Sequence, residues 1–396
     1  MKRYWKIISI CLLAVLVIGT FYIQKYSLAV KEDIQLEFKK IRGNENEVKD
    51  VTLYGKYLGE LYHTLKITSA KTIDNHSFFQ RIDKWYAGPL HELKDQHRNF
   101  MRGKDIINNY FFEDETQLAY ANIIGENLVG QPTGNLLFDI EVKNKKSEES
   151  RSIKLEVPQK EKFSWMNVEE VQVIDGKLKV ITHCDKKDNG NELRVYTFDI
   201  DKQKLINDEV IISAPGVETG HYQIRKIDDI NSIQPQKYLL IRKDLLSNGS
   251  AEIKSNEMIL YNMVTNQSKK MSVPNDIPIE SEWVTIVNST IYIESISKNS
   301  LKFNRYDINQ EKWHNNKLQF NFEDTEYGEH FPYNKLIKGE KIYIIGPAKK
   351  GYTLFVGNLK TGESLYEGQL KLKKPIGNQE EIQYYPLDIY AIKVVD

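Results

Sequence analysis

The eight histidines are the residues of this chain best suited to acid–base or metal chemistry. They are His63, His76, His91, His97, His183, His221, His314 and His330. Imidazole titrates near neutral pH and is a common zinc ligand, but a zinc site needs several ligands at fixed spacing. No histidine stands in an H-x-H or H-E-x-x-H pattern or beside a C-x-x-C pair. The sequence therefore predicts no metal site, no catalytic residue and no cofactor.

Two histidines have a neighbour that suggests a pair. His183 precedes Cys184 directly, but adjacent side chains of a strand point to opposite faces, so we interpret Cys184 as a small buried residue beside a surface histidine. His91 and Asp95 are four residues apart on a predicted helix, so both side chains could bind the same metal ion. A solvated surface pair is the commoner arrangement, and we favour it.

Four segments rich in oxygen ligands or in glycine are candidates for a ligand-binding or catalytic site. The loop DKKDNGNE at 185–192 loosely resembles a calcium turn, but it lacks the spacing and the bidentate glutamate of one, so a polar hairpin turn is favoured. Acidic clusters at 113–115 and 323–329 could hold the carboxylate pair of a glycosidase only at defined separations. The glycine-rich stretch at 125–135 lacks the lysine of a phosphate-binding loop. None of these segments indicates a reaction.

Charge and cysteine usage exclude two classes of protein. Lys+Arg and Asp+Glu are 55 each, so the chain has no net positive charge to bind nucleic acid. It has two cysteines, and Cys11 lies in the apolar run described next, so Cys184 has no partner for a disulfide outside the membrane. The exported part must therefore be stabilised by its core alone.

An uncharged apolar run near the N-terminus predicts a membrane anchor. It covers residues 7–23 (IISICLLAVLVIGTFYI), and as a helix it rises about 25 Å. Flanking aromatic residues bring this length close to the hydrocarbon core of roughly 30 Å. We predict a single transmembrane signal-anchor at residues 7–26, which binds the protein to the membrane.

Basic residues set the predicted orientation of this anchor. Lys2, Arg3 and Lys6 precede the run, so the positive-inside rule makes residues 1–6 a cytoplasmic tail and the bulk of the chain extracytoplasmic. The alternative is a signal peptide cleaved after Ala29. The apolar run is longer than a typical signal-peptide core of about 7–15 residues, which favours retention.

The residues after the anchor divide into two predicted regions. Region 31–117 mixes strands with a short helical insert at 77–103, where apolar residues recur at helical spacing on both sides of Gly88-Pro89. Region 118–396 contains a loose repeat of strand pairs, with about four strands in each unit. Four-stranded units at such a period are typical of a β-propeller, so we predict an all-β, β-propeller-like array. An open β meander or an array of sandwiches is the alternative.

The two chain ends are predicted to meet. Segment 385–395 (YPLDIYAIKVV) alternates apolar and polar residues, and an unpaired edge strand would leave its backbone groups exposed to aggregation. We therefore predict that it pairs with a strand from the N-terminal half of the chain.

Two classes of function remain open. Usage rich in Lys, Asn, Ile and Tyr suggests a bacterial source. The first class is a non-catalytic, membrane-anchored binding or sensing module of the cell envelope, with a protein, peptide or envelope polymer as partner. The alternative is an extracytoplasmic hydrolase or lyase that acts on envelope polysaccharide. The absence of any catalytic signature favours the first.

Overall fold

The structure is a computed structural model that comprises two compact units. The first unit comprises Met1–Gly88, Ser295–Phe303 and Asn315–Asp396, and the second comprises Pro89–Glu294 and Asn304–His314. The described residues are 4–31, 34–58, 62–74, 89–125, 127–128, 131–132, 136–228, 233–247, 253–275, 277, 284–297, 300–314, 317–321, 334–348, 351–373 and 387–394.

Strands make up most of the described chain. The helices are α1 Trp5–Lys31, α2 Pro89–Gln96 and α3 Arg98–Met101. In chain order the strands are β1 Leu36–Gly43, β2 Val51–Leu58, β3 Tyr62–Thr68, β4 Thr72–Asp74, β5 Phe111–Glu113, β6 Gln117–Ile124, β7 Asn127–Leu128, β8 Gln131–Pro132, β9 Leu137–Asn144, β10 Ser150–Glu156, β11 Phe163–Ile174, β12 Lys177–Lys186, β13 Asn191–Asp199, β14 Lys204–Ala214, β15 Gly220–Lys226, β16 Tyr238–Ser247, β17 Ile253–Asn262, β18 Gln267–Met271, β19 Val284–Val287, β20 Thr290–Ser297, β21 Ser300–Asp307, β22 Lys312–Trp313, β23 Leu318–Asn321, β24 Asn334–Lys338, β25 Lys341–Ala348, β26 Gly351–Asn358, β27 Ser364–Leu372 and β28 Leu387–Val394.

Helix α1 matches the predicted anchor. Its segment Trp5–Gln24 is long and apolar enough to cross a membrane, and none of it is buried in the protein. The 27 residues of α1 rise about 40 Å, so the helix extends beyond the apolar run on its C-terminal side. Exposed apolar surface of this size is unfavourable in water. The chain therefore carries one N-terminal apolar helix of the kind that forms a membrane anchor or a signal sequence.

Antiparallel sheets of four or five strands form the rest of the fold. The first unit contains the sheets β1-β27-β26-β25-β24 and β28-β2-β3-β4. The second unit contains β10-β9-β6-β5, β11-β12-β13-β14 and β15-β16-β17-β18. Strands β19 to β23 form a further sheet, and β7 pairs with β8. The chain is thus an all-β, β-propeller-like array of four-stranded units after an apolar helix, which confirms the predicted fold class.

Local sequence explains why neighbouring strands form hairpins. Asp175 and Gly176 join β11 to β12, and both have positive φ, at 50° and 70°. Two residues of positive φ form the type I′ turn, whose twist matches that of paired strands, and Asp-Gly is a preferred sequence for it. The turn sets Ile174 opposite Lys177 and so fixes the register of a ten-residue strand.

Apolar faces of consecutive sheets pack on one another within each unit. In the second unit, one core joins the β10-to-β5 sheet to the β11–β14 sheet through residues such as Phe138, Tyr196 and Phe198. Another joins the β11–β14 sheet to the β15–β18 sheet through residues such as Ile181, Val195 and Ile241. Each four-stranded sheet thus needs a neighbour to bury both of its faces.

The helical insert is seen in part. Helix α2 begins at Pro89, because the ring of a proline is preset for the first helical position. Leu93 of α2 and Phe100 of α3 are buried, as the helical spacing predicts. The helix predicted before Gly88 lies outside the described residues. The predicted boundary between regions 31–117 and 118–396 stays a prediction.

The predicted meeting of the chain ends is confirmed. Strand β28 pairs antiparallel with β2, from Val51 opposite Val394 to Tyr57 opposite Leu387. A second such pair lies in the other sheet of the first unit, where β1 lines the edge of β27. Both ends of the chain that follows α1 are therefore held by strands from the opposite end.

Candidate functional site

A β-bulge on β11 redirects two polar side chains into the core. Val168 lies opposite Thr182 and Glu170 lies opposite Ile181, so Glu169 is an extra residue in the ladder. A bulge of this kind moves all following side chains to the other face. Glu170 and Gln172 consequently point to the face that carries Ile181, and this face packs on the β15–β18 sheet.

Glu170 forms a buried ion pair on that face. Its carboxylate accepts a short charge-assisted hydrogen bond from the ammonium group of Lys226 on β15, and the two side chains are 2% and 3% exposed. Gln172 Nε2 donates to Glu170 Oε1 at 2.6 Å, and the backbone N–H of Gln236 donates to Gln172 Oε1 at 2.9 Å. The ion pair and its amide neighbours thus connect β11, β15 and the segment before β16.

Asp228 adds a second carboxyl group to this buried site. It is 3% exposed, and its Oδ1 accepts a long hydrogen bond of 3.4 Å from the backbone N–H of Leu240. Its Oδ2 has no hydrogen-bond partner among the described residues. Burial raises the pKa of Asp228 to about 7; Lys226 opposes this rise and Glu170 adds to it. We call Glu170, Lys226 and Asp228 the acid cluster.

A more open polar row lies next to the acid cluster along β11. Tyr110 Oη donates to Asn167 Oδ1 at 2.8 Å, and Asn167 Nδ2 contacts Glu169 Oε1 at 3.5 Å. Burial raises the pKa of the Glu169 carboxyl, and the Asn167 amide partly opposes the rise. Asn167 and Glu169 are only partly buried, so a ligand could reach them. We call Tyr110, Asn167 and Glu169 the open row.

The acid cluster and the open row differ in the chemistry they allow. The acid cluster holds two carboxyl groups and one cation closed from solvent, so it can bind or release a proton but cannot contact a large substrate. The open row presents the amide of Asn167 and the carboxyl group of Glu169, whose pKa burial raises, and the buried phenol of Tyr110 is hydrogen-bonded to that amide. Such a set can donate and accept hydrogen bonds to a polar ligand.

The structure confirms that Cys184 is buried and that it lies on the opposite face of β12 from His183, but His183 is half-buried rather than on the surface as predicted. Cys184 is fully buried, and its thiol contacts Thr182 Oγ1 at 3.3 Å. Burial raises the pKa of this thiol to about 12, so it stays protonated at neutral pH. His183 packs edge-on against Trp165, and burial lowers the pKa of its ring. The two side chains do not form a catalytic pair.

The remaining histidines are dispersed. His63 is fully buried, and its Nδ1 lies 2.6 Å from Asp74 Oδ2 within the β28-β2-β3-β4 sheet. His97 has a lowered pKa because of burial and the nearby Lys143 and Lys145. His221 and His314 are exposed. His76, His330 and the side chain of His91 lie outside the described residues.

In the oxygen-rich loops that the structure describes, carboxylate side chains accept hydrogen bonds from backbone N–H groups. In the 185–192 loop, Asp188 Oδ1 accepts the N–H of Gly190 at 3.0 Å, which closes the hairpin between β12 and β13. Asp114 Oδ1 accepts the N–H groups of Thr116 and Gln117 at 2.6 and 2.7 Å. The 323–329 cluster and most of 125–135 lie outside the described residues. Within the described ranges, no three His, Cys, Asp or Glu side chains come together as a metal site.

Sequence reasoning missed the acid cluster, although one signal was present. Val168-Glu169-Glu170-Val171 breaks the alternation of β11 at the bulge, where two consecutive polar residues interrupt an otherwise regular pattern. Lys226 ends β15 and Asp228 lies two residues beyond it, both far along the chain from Glu170. No spacing rule connects them to Glu170, since the contact exists only after two sheets pack.

Comparison with known proteins gives structural likeness without a family. No family model matches the chain, and no curated protein matches it. Among solved structures, polysaccharide lyase Uly1 is 11% identical, with 63% of this chain and 57% of that chain covered and a TM-score of 0.38. The Dos1 propeller is 14% identical, with 65% and 57% covered and a TM-score of 0.32. A chain of the nidogen/laminin complex is 9% identical, with 86% and 97% covered and a TM-score of 0.31.

The similarity to two of these structures covers only part of their length. This chain spans little more than half of the length of Uly1 and of the Dos1 propeller. At such identities a likeness concerns the fold and says nothing of activity or ligand. The class of protein is therefore defined by its own features, an apolar N-terminal helix and a propeller-like array of antiparallel sheets.

Proposed function

We propose that this protein is a membrane-anchored, extracytoplasmic binding or sensing module of the bacterial cell envelope, without catalytic activity. The observation that carries the proposal is the direct connection of the apolar helix to the folded sheets. Helix α1 ends at Lys31, and β1 begins at Leu36. Leu36 is five positions after Lys31, a separation of at most about 18 Å, so β1 begins close to the end of the helix.

The basic residues before the helix support the extracytoplasmic orientation. Lys2, Arg3 and Lys6 lie on the N-terminal side of the span, and positive charge is retained in the cytoplasm. A helix in this orientation exports everything from β1 to the C-terminus. The anchored array then presents its loops and sheet edges to the cell envelope, where a protein, a peptide or a polymer is the partner.

The closed state of the acid cluster supports a binding role over catalysis. Glycoside cleavage needs two carboxyl groups that both reach the sugar. Glu169, with its raised pKa, would suit a general acid, and this feature favours the alternative of a polysaccharide hydrolase or lyase. However, Glu170 and Asp228, the carboxyl groups of the acid cluster, are almost fully buried, so neither can serve as the second group.

The topology is tested on intact protoplasts that carry the full-length chain. Added protease should degrade the chain beyond residue 31 and leave only a membrane-protected N-terminal fragment. A cytoplasmic protein in the same protoplasts is the control and should survive. Full protection of the chain, or release of a fragment beginning at Val30 into the medium, would contradict the proposal.

The binding role is tested at the open row. Purified full-length protein in detergent should sediment with isolated, insoluble cell-wall polymer, and Asn167→Ala should reduce the bound fraction. Asp201→Asn, an exposed change in the turn between β13 and β14, is the matched control and should bind as the wild type does. If the wild-type protein hydrolyses the polymer and Glu169→Gln abolishes that hydrolysis, the enzymatic alternative is favoured instead.

A further inference from the structure

Two buried carboxyl groups lie near one buried ammonium group where β11 meets β15, and only Glu170 is paired with it among the described contacts. Lys226 satisfies Glu170, and Asp228 lies two residues beyond Lys226 with one oxygen that has no hydrogen-bond partner among the described residues. A buried ionised carboxylate without a partner is strongly unfavourable. A protonated carboxyl group removes the charge and adds an O–H donor. The geometry therefore favours one proton bound in the cluster.

We propose that the acid cluster is a proton-operated latch between the β11–β14 and β15–β18 sheets. Binding of one proton to Asp228 leaves the Glu170–Lys226 ion pair intact and holds β11 against β15. Loss of that proton creates two carboxylates that compete for a single ammonium group, and the contact between the sheets weakens. This inference does not depend on what the module binds.

The surroundings of Asp228 determine how the latch responds. On its own segment Lys226 favours the ionised form, and on β11 Glu170 opposes it. Glu169, beside Glu170 in the bulge, carries a further carboxyl group. Strand β16 contributes the backbone N–H of Leu240, and the segment before it contributes Gln234 and Gln236 to the amide network around Gln172. Burial outweighs the single favourable charge.

The direction of the pH effect follows from linkage. The pKa of Asp228 is about 7 in the folded protein, above the value of about 3.9 for an unfolded aspartate. The folded state therefore holds a proton that the unfolded state releases, and this stabilisation is lost as pH rises through 7. From about pH 6 to about pH 9, the unfolding equilibrium constant should rise about tenfold through this group alone.

The test compares urea unfolding of the full-length protein in detergent over this pH range. In the wild type, the unfolding constant should rise about tenfold, and Asp228→Asn should abolish that rise because asparagine stays neutral. Asp201→Asn is the matched control and should retain the wild-type profile. A wild-type profile that is flat, or that persists in Asp228→Asn, would overturn the proposal.

A second variant keeps the test decisive if Asp228→Asn does not fold. Glu170→Gln removes the neighbouring negative charge that raises the pKa of Asp228, so the pH-dependent step should move to lower pH. Hydrogen exchange of the β11 and β15 amides, corrected for the intrinsic pH dependence, reports the same step locally. If the pH-dependent step does not move in Glu170→Gln, the titrating group lies elsewhere. The same follows if hydrogen exchange changes with pH as much in β26 and β27 as in β11 and β15.

Discussion

The side chain of Tyr352 on β26 donates a hydrogen bond of 2.6 Å to the backbone carbonyl of Leu387, the first residue of β28. The bond is buried, and it connects two different sheets of the first unit. Leu387 and Ile389 of β28 are also buried in the core that contains Tyr352. The C-terminal strand is therefore fastened by its ladder with β2, by its apolar side chains and by side-chain hydrogen bonds to its backbone carbonyls from Tyr352, Asn334 and Lys338.

Deletion of residues 385–396 should destabilise the β-sheet array as a whole. The deletion removes two almost fully buried apolar side chains, which contribute roughly 1.5–3 kcal/mol each, and exposes the edge of β2. Thermal unfolding followed by circular dichroism should show a clearly lower Tm. An unchanged Tm would mean that β28 is a dispensable tail and would favour an open β array.

Tyr352→Phe should lower the free energy of unfolding by about 1–3 kcal/mol, because the buried carbonyl of Leu387 loses its donor. Tyr343→Phe is the matched control. Tyr343 packs in the same core, but its hydroxyl forms no hydrogen bond with a residue that the structure describes. Urea unfolding should show a loss for the first variant and little change for the second. Equal losses of unfolding free energy in the two variants would show that the hydrogen bond to Leu387 is not the cause.

Lys226→Met alone should cost about 3–5 kcal/mol of unfolding free energy, because it leaves Glu170 buried and unpaired. The double variant Glu170→Leu with Lys226→Met should recover most of that loss, since a buried ion pair is often replaceable by apolar residues. A double-mutant cycle on urea unfolding measures the coupling. Losses that simply add would show that the two side chains do not depend on each other.

The thiol of Cys184 should be unreactive in the folded protein. Burial raises its pKa to about 12, so both the scarcity of thiolate and the lack of access slow any reagent. In a Cys11→Ser background, a chromogenic disulfide reagent at pH 7 should label Cys184 only after denaturation. Ser213→Cys, an exposed position on β14, should react at once in the same background. Rapid labelling of native Cys184 would contradict its buried position.

The apolar helix and the hairpins could be predicted from the sequence because each depends on neighbouring residues. The uncharged run at 7–23 predicts an apolar helix whatever the rest of the chain does, although α1 extends further, to Lys31. Asp175-Gly176 has few conformations other than a tight turn, so the pairing of β11 with β12 is encoded locally. The alternation of Leu387, Asp388 and Ile389 likewise predicted a half-buried strand, though its partner followed only from the need to cover an edge.

The acid cluster depended on tertiary structure. One extra residue at Glu169 reverses the face to which Glu170 points, and alternation alone would place Glu170 with Val168 in the opposite core. The cation that neutralises Glu170 comes from a strand of another sheet, and the raised pKa of Asp228 exists only because packing removes water. Sequence by itself determined where the apolar helix lies and which segments are strands. Which charges are buried together was decided by the packing of one sheet on the next, because the cost of burying a charge arises only when the sheets exclude solvent.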